Sequence, residues 1–388
     1  MDFKLNSDQK EIIANVSRIC SEFDLNYWLR CDTEEKFPEE FYRKMLEHGY
    51  VGLSLPREYG GAGLGITEAA LVMQAICESG AGMTGCSTIH SYVFAPNPIA
   101  VHGTEEQKRR MLPPLTSGKE RACFAITEPN TGLDTTKLRS RAVREGDHYI
   151  LTGEKVWPTA ASFADRVLVI ARTTPIEKCK RPVDGLSLFY TPIDRRYVRT
   201  SKIAKLGRNA IESCQVFFDG LPIPVEDRIG EEGKGFYYLL DGLNPERILV
   251  AAEAVSLGRV ALNRAANYAK ERVVFDRPIG MNQGIQHPLA DSWMKLEAAN
   301  VMMLKAATMY DAGEPCGAEA NTAKYLGAEA GFEACTRAVM SHGGYGYAKE
   351  FYVERYLREV LIARLAPISP QLILCYIGER VLGLPKSY

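Results

Sequence analysis

The chain of 388 residues is notable first for what it lacks: a charge excess, paired cysteines, clustered histidines and a long apolar run. Its 47 Lys and Arg stand against 48 Asp and Glu, a net charge of −1. Nucleic acid and anionic membrane surfaces are bound by basic patches that release counterions, so this balance excludes them as expected partners and favours a small-molecule client. The ten cysteines are spread singly with no Cys-x-x-Cys, the usage of a reducing compartment. The six histidines never fall at ligand spacing, so no metal site is expected. Apolar stretches such as Arg166 to Ala171 and Leu372 to Ile377 fall far short of the roughly 18 to 20 residues of a membrane helix. The start, Met-Asp-Phe-Lys-Leu-Asn-Ser, has neither the apolar region of a secretory signal nor the Arg and Ser richness of a transit peptide. Cytoplasmic residence is expected, or the mitochondrial matrix for a mature eukaryotic form. Nucleotide fingerprints are missing too. Gly230 to Gly235 lacks the P-loop spacing, Gly343 to Gly346 lacks the dinucleotide spacing, and no Gly-x-Ser-x-Gly elbow occurs.

What is present has a helical, β, helical order, and the length predicts two or three domains. Ser7 is a candidate N-cap for a helix whose Ile12, Val16, Ile19 and Phe23 share one face. Further helical stretches at 39–47, 68–78 and 105–111 complete a helical domain over residues 1–120. Short β-prone runs at 122–128, 138–144, 148–152, 155–157, 167–172, 186–191 and 214–219 follow without intervening helices. They predict an antiparallel sheet or small barrel over 121–234. Segments 244–272, 283–312, 317–341, 351–364 and 369–382 are rich in helix formers and predict a helical bundle over 235–388. The fold class is α+β, mostly α.

Three constellations carry potential chemistry, each with a plain structural alternative. Thr127 to Asp134 offers hydroxyls and N–H groups in a turn, or is an ordinary strand end. Lys155 to Thr159 places an indole beside a hydroxyl, suited to an aromatic cofactor or simply core. Asn244-Pro245-Glu246-Arg247 reads as N-cap, N1 and first-turn carboxylate, whose default role is to complement the helix dipole.

In order along the chain, Leu53-Ser-Leu-Pro56, Glu58 to Gly63, Ile126-Thr-Glu-Pro129, Gly153 to Trp157, Arg272 to Phe275 with Arg277-Pro-Ile279, Ile285-Gln286 with Leu289-Ala290, His342 to Tyr347 and Val353 to Tyr356 resemble the acyl-CoA dehydrogenase family of flavoproteins. The resemblance spans essentially the whole chain. It implies an N-terminal helical domain, a central antiparallel β domain and a C-terminal four-helix domain. FAD would lie between the last two, shared across subunits of a tetramer built as a dimer of dimers, with an electron-transferring flavoprotein as acceptor. It assigns cofactor contacts to Phe124, Ile126, Thr127, Gly132 and Leu133, to Trp157 and Thr159 over the isoalloxazine, and to Arg272, Phe275 and Gln283 across the interface. Met340, Gly343 and Gly344 fall near the adenosine, and Ser369 and Gln371 in the late motif. Leu133, Asn244 and Arg247 are implied substrate contacts.

The implied reaction removes an α-proton from an acyl-CoA thioester while the β-hydrogen leaves as hydride. In most of the family the base is a Glu at the position of Pro367, which cannot act as one. Branches resembling isovaleryl-CoA and long-chain acyl-CoA dehydrogenases carry it at the place of Glu246, which makes Glu246 the expected base and Glu253, seven residues on, the fallback. Pro367 also removes a backbone donor to the thioester oxygen, whose place the flavin ribityl hydroxyl or a shifted donor such as Ile368 would take. Leu133 and Met340 depart from the family's Ser and Gln, and Asp276 stands where Gly is usual. An oxidase or other flavin enzyme of this fold, and an inactive relative, remain alternative readings.

Overall fold

The computed structural model describes residues 4–387. Eight helices come first: α1 (Ser7–Cys20), α2 (Leu25–Thr33), α3 (Glu39–Glu47), α4 (Ile66–Ile76), α5 (Gly82–Cys86), α6 (His90–Phe94), α7 (Asn97–His102) and α8 (Glu105–Thr116). The N-cap of α1 is Asn6 rather than Ser7. Its side chain accepts the Gln9 N–H at 2.8 Å while the Gln9 side chain accepts the Asn6 N–H at 3.1 Å, a reciprocal box that Ser7 has no Glu or Gln three residues on to complete.

Eight strands make one sheet: β1 (Ala122–Ala125), β2 (Arg141–Glu145), β3 (His148–Thr159), β4 (Arg166–Arg172), β5 (Leu186–Pro192), β6 (Val198–Lys202), β7 (Ser213–Pro224) and β8 (Arg228–Ile229). The order is β6-β7-β3-β2-β4-β5-β8. Pairing is mostly antiparallel, with two departures: β1 adds to β4 in parallel, and β2 meets β4 in parallel at Arg141 and Arg172. β4 is buried on both faces. Leu168 and Ile170 enter the core shared with the helices, whereas Val167 and Val169 enter a second core with Phe189, Val216 and Phe218.

The remaining chain is α9 (Gly235–Glu271), a hairpin of β9 (Val273–Val274) and β10 (Arg277–Pro278), then α10 (Gln283–Asp311), α11 (Gly317–His342), α12 (Val353–Leu365) and α13 (Pro370–Arg380). α9 is the spine of the molecule, packed on α4 and on α10, α11 and α12, so the helices before and after the sheet in the chain share one core. The apolar stretch Val353–Arg380 is long enough in composition to cross a bilayer. It is broken into helices of 13 and 11 residues, about 20 and 17 Å long, and each is shorter than a hydrocarbon layer of about 30 Å.

α9 corrects the expectation of a helix starting at Asn244. It begins at Gly235, so Asn244 is not an N-cap and Pro245 lies inside the helix. A proline there cannot donate to the carbonyl four residues back, that of Asp241. That carbonyl accepts instead from Asn97 Nδ2 and the Tyr310 hydroxyl, each at 3.4 Å. Neighbouring side chains thus replace the missing backbone bond, and the helix continues through the proline.

Candidate active site

The sheet contributes the first half of the site. Past β1, the Glu128 carboxylate accepts the N–H groups of Arg139 at 2.7 Å and Ser140 at 2.9 Å. It also accepts from Lys155 Nζ at 3.0 Å, and the same ammonium donates to the Ile126 carbonyl at 2.9 Å. Lys155 is wholly buried. Burial lowers its pKa to about 8, with Glu128 opposing the fall. The Thr127 carbonyl takes the Val156 N–H at 2.9 Å, which sets Thr127 beside Trp157. A bulge between Val156 and Thr159 puts Trp157 in the left-handed region, φ +74°, and turns its indole out, 55% exposed. Leu133 is equally exposed, and Gly132 has open space where a Cβ would stand. Phe124 packs edge-on against Phe94, and Ile126 is buried, so these two meet the helices through their side chains.

Helices contribute the second half. Glu246 is half-buried in α9 and has no hydrogen bond or ion pair among the described residues. Desolvation raises its pKa to about 7, against the opposing charges of His90, Arg247 and Lys324. Arg247 donates to Asn244 Oδ1 at 2.8 Å, and its Nε is sealed from solvent without a partner. Burial lowers the pKa of Arg247 as well. Lys324, buried in α11, donates to the Ile368 carbonyl at 2.5 Å, and its charge acts on both Glu246 and Arg247. Burial brings its pKa down to about 8. Ile368 keeps a backbone N–H without a protein partner among the described residues, next to Pro367. Glu253, by contrast, is 2% exposed and taken by His90 Nδ1 at 2.6 Å. Burial pulls the His90 pKa down, but the Glu253 charge more than offsets it and the pKa ends raised.

The remaining expected residues lie on exposed segments. Phe275 and Asp276, at φ +53° and +61°, form the two-residue turn of the β9–β10 hairpin, so Asp276 adopts the conformation a Gly would take and the turn is intact. Phe275 is 93% exposed. The Arg272 guanidinium lies 5.9 Å from the Tyr345 ring, which brings it beside Gly343 and Gly344. Those two glycines have nothing within 4 Å of a Cβ position. Gln283 opens α10, and Met340 and Gln371 are exposed. Ser369 is occupied as the N-cap of α13, accepting the Leu372 N–H at 3.3 Å.

His90, Lys324 and Arg208, all coupled to this site, escaped sequence reasoning. Each is a lone charged residue with no motif around it, and only the tertiary fold assembles them.

Three family models match the chain: acyl-CoA dehydrogenase N-terminal domain over residues 6–119, middle domain over 123–221 and C-terminal domain over 233–367. Acyl-CoA dehydrogenase FadE12 of Mycobacterium tuberculosis is 36% identical over 394 residues, covering 99% of this chain and 98% of that protein. The caffeyl-CoA reductase-Etf complex subunit CarC of Acetobacterium woodii is 33% identical over 361 residues, 91% of this chain and 93% of its own. Butyryl-CoA dehydrogenase from Megasphaera elsdenii superposes with a TM-score of 0.92 at 29% identity, covering 98% of this chain and all of that one. With all three domain models matched in order and a relative aligned end to end, this chain belongs to the acyl-CoA dehydrogenase family, FAD-dependent oxidoreductases of acyl-CoA thioesters.

Proposed function

We propose that Glu246 is the base with which this chain dehydrogenates an acyl-CoA thioester between Cα and Cβ. One observation carries the reading: Glu246 is a carboxylate with no partner among the described residues, desolvated until it ionises at about 7. A base must hold a proton about as readily as it releases one at working pH, and an ordinary surface Glu is too acidic for that. Glu253 is unsuited, because His90 already occupies its carboxylate. The placement of the base at Glu246 also assigns the chain to the branch resembling isovaleryl-CoA and long-chain acyl-CoA dehydrogenases.

In the reaction the α-proton passes to the Glu246 carboxylate, the Cα–Cβ double bond forms, and the β-hydrogen departs with its electron pair. FAD supplies the acceptor for that hydride when bound. The donor set suits it: an exposed indole at Trp157 beside Thr127 and Thr159 for a flat ring system, and Arg272 with an open glycine pair for a phosphorylated end. The Lys155–Glu128 pair holds the strand segment that carries Thr127. Negative charge gathers on the thioester oxygen as the proton leaves. The free Ile368 N–H, on a segment anchored by Lys324, takes the role that Pro367 cannot. Arg247 and Lys324 favour the ionised form of Glu246 and attract the anionic CoA.

Electrons then pass to an electron-transferring flavoprotein, a partner carried in the name of the Acetobacterium relative. The protomers assemble as a tetramer. In support, Phe275 stands 93% exposed on its hairpin, and Leu374, Val381, Leu382 and Leu384 expose an apolar surface at the C-terminus.

Anaerobic titration of the purified yellow protein with an acyl-CoA panel tests the function. Flavin absorbance bleaches with the true substrate and recovers faster with electron-transferring flavoprotein than with air. Absence of bleaching across alkyl, branched, aryl and carboxylated thioesters overturns it.

A further inference from the structure

Arg208 lies between β6 and β7 with a φ of +55°, a conformation that costs a non-glycine residue of order 1 kcal/mol. Its loop is clamped. The Lys205 ammonium donates to the Arg208 carbonyl at 2.7 Å, and the Asn209 N–H donates to Asp32 Oδ1 at 3.3 Å. Gly207 sits so close to Arg358 that an added Cβ would come within 2.6 Å of the Arg358 carbonyl oxygen. A strained, clamped backbone thus delivers the Arg208 side chain inward.

The guanidinium it delivers has no hydrogen bond or ion pair among the described residues, and its Nε is sealed from solvent. Its charge is felt with those of Glu253 and Glu359 and with the Cys86 thiol, all of them buried. Both carboxylates are already engaged. Glu253 holds His90, while Glu359 holds Arg355 at 2.8 Å together with the Thr84 hydroxyl at 2.8 Å and N–H at 3.1 Å. Arg355 and His90 thus take both carboxylates, and the cation left without one is Arg208. An ionised group buried without a partner is strongly destabilising, so it persists where a ligand completes it.

His90 links Arg208 to the reacting end. His90 feels the charges of both Glu246 and Arg208, and its Nε2 has no partner among the described residues. Glu253 follows Glu246 by two turns of α9, about 10 Å along the helix. The His90–Glu253 pair, which the charges of both Glu246 and Arg208 reach, therefore lies between the proton acceptor and the surplus cation, a separation on the scale of a few methylenes.

The geometry points to Arg208 as the residue that receives an anionic group at the far end of the acyl chain, which makes the substrate class an acyl-CoA thioester with a distal carboxylate. The inference rests on the acyl-CoA dehydrogenase reading. A carboxylate there accepts two parallel N–H bonds from the guanidinium, the strongest pairing available to it. A plain alkyl chain would leave the guanidinium desolvated and unpaired, and so be selected against.

The test uses the FAD-loaded enzyme and its R208M and R208K variants, with thioesters from glutaryl-CoA to suberyl-CoA and their methyl-terminated counterparts. Anaerobic flavin bleaching and steady-state kcat/KM are the readouts. The wild type favours one ω-carboxyacyl-CoA over its alkyl match by on the order of 100-fold. R208M abolishes that preference chiefly through KM and keeps its FAD, and R208K restores part of the preference. R208M also raises the thermal midpoint of the substrate-free protein, because it removes an unpaired buried charge. An alkyl preference in the wild type that R208M leaves unaltered overturns the assignment while sparing the dehydrogenase reading. Loss of FAD from R208M overturns it too, by giving the guanidinium to the cofactor. No bleaching by either thioester series overturns both readings.

Discussion

Replacing Glu246 with Gln should stabilise this protein, and by an amount that depends on pH. Burial raises the midpoint of Glu246 from its ordinary 4.5 to about 7. At about 1.4 kcal/mol per tenfold change in proton affinity, the ionised carboxylate costs the folded state about 3 kcal/mol. The sign follows from where each state holds the proton. Below pH 4.5 the group is protonated both folded and unfolded, and there is no cost. Between 4.5 and 7 the unfolded chain releases the proton while the folded protein keeps it, so stability falls as pH rises. Above 7 both states are ionised and the full cost applies. Glutamine keeps the shape without the charge, so the gap between Glu246→Gln and wild type should be small at pH 5, widen to pH 7 and then level off. At a few degrees per kcal/mol, the difference in thermal midpoint at pH 8 is on the order of 5 °C. Thermal scans of both FAD-saturated proteins from pH 5 to 8 measure it. Melting curves that run parallel across that range, or a variant less stable at pH 8, refute the claim that Glu246 is desolvated and unpaired.

The same carboxylate sets the pH profile of flavin reduction at saturating acyl-CoA: the rate rises about tenfold between pH 6 and pH 8 with a midpoint near 7, and a flat profile in stopped-flow bleaching contradicts it. Lys155→Met strands the Glu128 carboxylate in the interior, which costs about 3 to 5 kcal/mol in urea unfolding and weakens FAD retention measured by flavin fluorescence. Phe275→Ser removes a side chain that is 93% exposed in the protomer, so it should leave protomer stability alone yet shift the proposed tetramer toward smaller species in light scattering.

Much of the architecture was legible in the residues. Closely spaced β-prone runs without intervening helices announced the sheet, and helix formers announced the bundle. The misses have specific causes. β6 (Val198–Lys202) alternates arginine, serine and lysine with few apolar residues, so it lacks the composition of a strand and owes its place to pairing with β7. Pro245 read as a helix start because proline favours that position, and nothing local tells that Asn97 and Tyr310, far along the chain, take over the freed Asp241 carbonyl. Within the site, Thr127 and Trp157 belong to separate motifs that β-pairing makes neighbours. Glu246 stood out only through the family resemblance, since a Glu after proline is ordinary. Its lack of partners, and the company of His90, Lys324 and Arg208, depend on contacts between helices and sheet that no spacing in the sequence encodes.

The most direct test of Glu246 as the base is anaerobic rapid-mixing of the Glu246→Gln holoenzyme with a thioester that bleaches the wild type. The variant should bind FAD at the wild-type ratio and still bind the thioester, while the rate of flavin bleaching falls by at least 1,000-fold, the scale of losing a positioned base together with its electrostatics. Bleaching at an unchanged rate would contradict the assignment and give the α-proton to another group.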